Sequence, residues 1–161
     1  MKQNHKKIKI YSEALCGSVN TFEIFQDIKT SLHALAALST KDLTINTFLK
    51  SKSVDSSQKM NIFRESFKEI FNESLLDMLL VMIENDDMNL LMDVNKSFVV
   101  LAKKKLNIAY VEVTSSSDMD ENARMQLSDA LSDITKKKID INFSTNKDLI
   151  GGLKIKIDDM L

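Results

Sequence analysis

No proline occurs anywhere in this chain, and three glycines serve its 161 residues. The two residues that most often interrupt helices are therefore nearly absent, and long helices form wherever apolar residues recur at helical spacing. That spacing holds over the first two thirds of the sequence. Ile8, Tyr11, Leu15 and Val19 recur every three or four residues, with Ala14 widening the stripe, and predict a first helix over 7–19. Phe22, Phe25, Ile28, Leu32, Leu35 and Leu38 predict a second, interrupted at Ser39 and Thr40. Leu43, Ile45, Phe48 and Leu49 suggest a short third helix. Asp55 is placed to cap a fourth carrying Met60, Phe63, Phe67 and Ile70 or Phe71. After a break at Asn72 to Ser74, Leu75, Leu76, Leu79, Leu80 and Ile83 predict a fifth helix, apolar on much of its circumference and so largely buried. Glu84 to Asp87 form a polar junction in which Asp86 or Asp87 is expected to cap a sixth helix. That helix carries Leu90, Leu91, Val94, Phe98 and Leu101 and closes at Lys103 to Lys105.

Beyond Leu106 the period drops from three or four to two. Ile108, Tyr110, Val111 and Val113 read as a strand, and the polar run Ser115 to Asp120 starts a helix with Met125, Leu127, Ala130, Leu131 and Ile134. Ile139, Ile141 and Phe143, then Leu153, Ile155 and Ile157, alternate with polar residues as two further strands. The expectation is a mainly α chain: an N-terminal six-helix bundle over residues 1–105, followed by a small β-α-β-β module over 106–161.

Reactive constellations are scarce. His5 and His33 are the only histidines, so histidine-dependent nucleophilic catalysis has few ways to be built, and with Cys16 the only cysteine no intrachain disulfide or multi-cysteine metal site can exist. Cys16 sits in the first helical stripe as a small, partly buried side chain, and His5 falls in a start expected to be mobile. Gly151-Gly152 precedes a strand where a phosphate cradle would precede a helix, so a tight turn is expected there. Glu84, Asp86 and Asp87 lack the alternation of a calcium loop, and both lysine triplets end helices, so all three runs read as solvated. No catalytic residue, cofactor or metal is expected.

With 22 basic and 23 acidic residues the net charge is −1, which gives no bulk attraction to nucleic acid and argues against an RNA-binding adaptor. A partner would be recognised by shape and apolar surface. The longest apolar run, Met78 to Ile83, is far too short to cross a bilayer. The basic start, Met1 to Ile10, is not followed by the apolar core of a signal peptide.

Several segments resemble one family, the delta or oligomycin-sensitivity-conferring subunits of F-type ATP synthases. Tyr11-Ser12-Glu13-Ala14-Leu15 is similar to that family's opening motif, with Ser12 in place of its first alanine. Phe48-Leu49-Lys50-Ser51 with Val54 and Lys59 resembles its fourth-helix entry, with Lys52 where proline is usual. Glu84-Asn85 with Leu90-Leu91 resembles its helix junction, with Asp87 replacing a common arginine. Leu149-Ile150-Gly151-Gly152 resembles its characteristic turn. The family's usual continuation past Leu161, a strand end and a final helix, is not in this sequence.

The resemblance implies a non-catalytic stator subunit, one copy per complex, peripheral to an energy-transducing membrane. That membrane would be the cytoplasmic side of a bacterial plasma membrane or a mitochondrial or plastid system. Its partners would be the amino-terminal helices of alpha subunits in the catalytic head and the b-type subunits of the peripheral stalk, with no nucleic acid and no membrane span. Candidate head-binding anchors on the first and fifth helices are Tyr11, Ala14, Leu15, Leu76, Leu79 and Leu80.

Overall fold

The computed structural model describes residues 2–41, 47–48, 51 and 54–158. The chain divides into two compact units, Met1–Ala102 and Lys103–Leu161, and the division falls inside the last turn of a helix. Among the described residues the fold is mainly helical, with a small three-stranded mixed sheet near the C-terminal end.

In the first unit α1 spans Lys2–Ser18, α2 Phe22–Lys41, α3 Ser56–Phe67 and α4 Glu73–Glu84. A 3-10 turn at Met88–Leu90 then leads into α5, Leu91–Leu106. Two helices are longer than their apolar stripes. Helix α1 begins at Lys2, because the lysine-rich start contains no proline or glycine, and so His5 is helical instead of lying in a mobile lead. Helix α2 runs through Ser39 and Thr40 to Lys41, since two weak helix formers cost too little to stop it. The short helix expected at 43–49 falls, apart from Thr47 and Phe48, outside the described residues.

Caps set the other boundaries. Asp55 accepts from the Ser57 amide at 3.1 Å and Asn72 from the Ser74 amide at 3.0 Å, each satisfying a free donor of a first turn. Helix α3 stops at Phe67, short of the expected Ile70 or Phe71, yet the aromatic ladder continues: the Phe67 and Phe71 rings stack at 4.9 Å and Phe63 meets Phe67 at 4.5 Å. The core collects the predicted stripes. Leu15, Val19, Phe25, Ile28, Leu32, Leu35, Leu75, Leu79, Met82, Val94 and Phe98 are all buried, each stabilising the unit by about 1.5–3 kcal/mol.

In the second unit the order is β1 (Ile108–Ser115), α6 (Glu121–Thr135), β2 (Lys138–Thr145) and β3 (Leu153–Asp158). Asp120 caps α6 by accepting from the Ala123 amide at 2.7 Å. Lys136 closes it in the left-handed region, at φ 55°. Strand β1 lies in the centre, parallel to β2 and antiparallel to β3. Register puts three rows on one face: Ala109 beside Ile139, Ile141 and Ile157 flanking Val111, and Phe143 and Ile155 flanking Val113. Helix α6 contributes Leu131 and Leu127 to the core formed with Ala109, Val111, Val113 and Ile139.

Strand β3 forms where the alternation predicts a strand, but its apolar face is not covered. Leu153, Ile155 and Ile157 remain 40–47% exposed, because the crossover helix belongs to the β1–β2 half of the sheet. Gly152, at φ 82°, supplies the left-handed turn that leads into β3.

Candidate functional site

Helix α1 is locked to the α4–α5 junction through one buried acid. Asp87 is 6% exposed; its Oδ2 accepts from the Tyr11 hydroxyl at 2.8 Å and its Oδ1 from Lys7 Nζ at 2.7 Å. Asn85 Nδ2 donates to the Tyr11 oxygen at 3.4 Å and to the Val81 carbonyl at 2.9 Å. Burial, together with the hydrogen bond to Asp87 and its charge, raises the Tyr11 pKa to about 12, so the phenol stays protonated and keeps donating. The expected solvated junction is therefore corrected. Glu84 and Asp86 are exposed, but Asp87 is inside, and its carboxylate makes no capping bond to the turn that follows because Tyr11 and Lys7 use it. On the α5 flank, Ser12 Oγ and Ser97 Oγ meet at 2.8 Å.

These contacts fix which sides of α1 and α4 face outward along their seam. Ala14 follows Lys7 and Tyr11 at i+7 and i+3, so it lies on the flank of α1 that faces the end of α4. Ile10, Ala14 and Gly17 form an exposed i, i+4, i+7 stripe there. Val81, one turn before Asn85, is exposed on α4 beside the same seam, with Asp77 and Glu84 on its outer face. Ile10 is 53% and Val81 45% exposed. A Cβ added to Gly17 would meet nothing within 4 Å, so no internal packing requires a glycine at this point of a helix. The resulting surface is a shallow apolar seam with acidic neighbours. Among the described residues no cluster of three or more His, Cys, Asp or Glu could hold a metal. The seam can grip an apolar helix face; it offers no nucleophile with an adjacent base.

Residues 8–161 match the family model described as the ATP synthase delta (OSCP) subunit. The chain belongs to this family. Among its delta (OSCP) relatives, ATP synthase subunit delta 2 of Brachyspira hyodysenteriae is 24% identical over 161 residues, covering 99% of this chain and 76% of that protein. ATP synthase subunit delta of Bacillus thuringiensis is 25% identical over 154 residues, covering 95% of this chain and 85% of that one. A chain in the cryo-EM structure of the Toxoplasma gondii mitochondrial ATP synthase hexamer shares the fold, with TM-score 0.55 and 15% identity over 86% of this chain and 76% of that chain.

Against this delta-family frame, the six anchor candidates separate. Tyr11, Leu15, Leu76, Leu79 and Leu80 are buried at 9% exposure or less and are occupied in the unit's own core; Ala14 alone is exposed. Sequence reasoning passes over Ile10, Gly17 and Val81. Their signal is available, since Ile10 and Val81 are large apolar residues that fall off the core stripes of their helices. Of the turn motif, Leu149 is half-buried, while Ile150, Gly151 and Gly152 are exposed.

The lysine runs need a second correction. Lys104 and Lys105 are solvated, but Lys103 is 7% exposed; its Nζ lies 2.8 Å from Asp140 Oδ2 and 4.0 Å from the Tyr110 ring centroid. Cys16 is buried. No helix among the described residues is long and apolar enough to cross a membrane.

Proposed function

We propose that the chain is a non-catalytic coupling subunit of an F-type ATP synthase, joining the catalytic head to the peripheral stalk so that the head does not turn with the rotor. The match to the delta (OSCP) family across residues 8–161, which includes both compact units, carries this reading. In it the helical unit holds an amino-terminal helix of an alpha subunit, and the β-α-β-β unit faces the b-type stalk subunits. The complex is peripheral to an energy-transducing membrane.

The buried anchors expected from the sequence give way to the surface above them. Ile10, Ala14, Gly17 and Val81 form the α1–α4 seam, with Tyr11, Leu15 and Leu79 as its floor. A stator joint requires a grip without turnover. A few apolar side chains of a partner helix, each contributing about 1.5–3 kcal/mol on burial against a preorganised surface, are sufficient for it.

The test is calorimetric titration of the full chain with a synthetic alpha-subunit amino-terminal peptide. Ala14→Arg and Gly17→Arg keep the helical circular dichroism, because both positions are open to solvent, and weaken binding by roughly tenfold or more. Lys137→Asp, in the other unit, leaves binding unchanged. Equal affinity for all three variants would remove the seam from the head contact, and no binding by the folded native chain would remove the head contact itself.

A further inference from the structure

The walls of the α1–α4 seam come from distant parts of the chain, Ile10, Ala14 and Gly17 on α1 and Val81 on α4, and all of them are exposed. Exposed side chains hold one another weakly, so the spacing of the walls is set beneath them. Asp87 is placed to set it. Its backbone is fixed to the end of α4. Asp86 turns through the left-handed region at φ 55°, its amide donates to the Ile83 carbonyl at 3.2 Å, and the Asp87 amide donates to the Met82 carbonyl at 2.8 Å. This pair of bonds closes a helix end in one defined conformation, so the Asp87 carboxylate is carried by α4 as a fixed attachment.

The same carboxylate holds the other wall at two successive turns of α1, through Lys7 Nζ at 2.7 Å and the Tyr11 hydroxyl at 2.8 Å. Two ties one turn apart restrain the direction of a helix as well as its distance, which a single bond does not. Asn85 closes the circuit. Its Nδ2 donates to the Tyr11 oxygen at 3.4 Å and to the Val81 carbonyl at 2.9 Å, so one amide reaches both walls. Tyr11 follows Ile10 directly and stands one turn before Ala14, and Val81 is itself a wall residue.

We infer, taking the seam as the contact with the head, that Asp87 is a positioning residue for the partner helix: with Tyr11 it presets the separation and angle of the two seam walls, so that the partner docks onto a formed surface. Tyr11 then has two roles, its ring as part of the floor and its hydroxyl as the latch. When only a fraction of molecules hold the competent arrangement, apparent affinity falls by that fraction. The fall appears in the association rate, because docking then depends on a change of conformation, while the bound complex and its dissociation rate stay the same. Loss of a direct contact acts the other way, speeding dissociation and barely changing association.

The test is stopped-flow binding of a fluorescently labelled alpha-subunit amino-terminal peptide to the full chain, each variant being checked for native helical circular dichroism. Tyr11→Phe keeps the ring and removes the hydroxyl; it slows association by about three- to tenfold and leaves dissociation within about twofold of native. Asp87→Asn leaves an oxygen to accept from Tyr11, and Lys7, whose side chain is 37% exposed, returns to solvent; this variant keeps most of the native association rate. Asp87→Ala behaves like Tyr11→Phe, and if it does not fold the other two variants decide.

Ser12→Ala is the control for plain destabilisation. It breaks the 2.8 Å contact with Ser97 that joins α1 to α5 on the opposite flank, and it leaves both rates unchanged. A native association rate in Tyr11→Phe, a loss confined to its dissociation rate, or equal slowing by Ser12→Ala overturns the positioning role while the seam stands as a contact. No binding by the folded native chain removes the head contact and the positioning role together, so the two failures are distinct.

Discussion

Among the described residues each unit buries one carboxylate, and the two solve the resulting problem differently. Asp87 is satisfied by a neutral hydroxyl, Tyr11, and by Lys7, whose side chain is 37% exposed and keeps contact with water. Asp140, 2% exposed, pairs with a lysine that is itself enclosed, and the Tyr110 ring covers the ammonium at 4.0 Å. In the helical unit the positive partner can be screened. In the β-α-β-β unit neither ion can return to solvent without opening the fold, so the same loss of one partner costs more there. The difference suits the elements being joined. The first bond ties a helix with a charged, solvated side to a junction, and the second closes the space between a helix end and a sheet.

The sharpest way to break this comparison is Asp140→Ala. It strands the Lys103 ammonium in a closed site, with an expected loss of about 3–5 kcal/mol in chemical denaturation of the full chain. The double variant Lys103→Met, Asp140→Leu recovers most of that loss, because the cost lies in the unpaired charge more than in the missing attraction. A single-variant loss below about 1 kcal/mol would show that water reaches the pair and that the two units do not differ in this respect.

Tyr11→Phe is the matching change in the helical unit, and about 1–3 kcal/mol is expected, because Asp87 keeps Lys7 while losing its hydroxyl donor. Its pH dependence separates the hydroxyl from general packing. The Tyr11 pKa rises from its ordinary value of 10.0 to about 12 in the fold, with burial as the first cause. A raised acid contributes stability that is fully present below pH 10 and is lost as pH climbs from 10 to about 12. The stability gap between the native chain and Tyr11→Phe should therefore narrow across that window. Tyr110, also raised by burial, titrates in both proteins and cancels in the difference. A constant gap would assign the loss to packing alone.

What the sequence discloses follows the range of each interaction. Helical stripes, the change of period after Leu106 and the Asp55 cap depend on neighbours within a few positions, and they are legible. Asp87 reads as solvated because its partners, Tyr11 and Lys7, lie 76 and 80 positions away. Lys103 misleads for the same reason, its partner being on β2. Both resemble ordinary charges at helix ends, which is how most such residues behave. The seam is half legible: the stripes point to the right two helices, but apolar character does not by itself mean grip, and the best apolar residues go to the core. Ile10 and Val81, off the stripes, are the ones left at the surface.

Alternation in β3 likewise shows that one face is apolar without showing whether anything covers it, and this gives the smallest predicted effect. Val113 and Ile155 sit side by side in one row of the sheet, yet Val113 is wholly buried and Ile155 is 40% exposed. Ile155→Ser removes a side chain that has buried only part of its area, so about 1 kcal/mol or less is expected. Val113→Ser removes a methyl-lined contact under α6 and also places a hydroxyl in the core, which should cost several-fold more. Thermal unfolding of the two variants side by side provides the measurement. If Ile155→Ser destabilises as strongly as Val113→Ser, then something covers β3 in solution, and the contrast between a closed helical core and a sheet with one open row no longer holds.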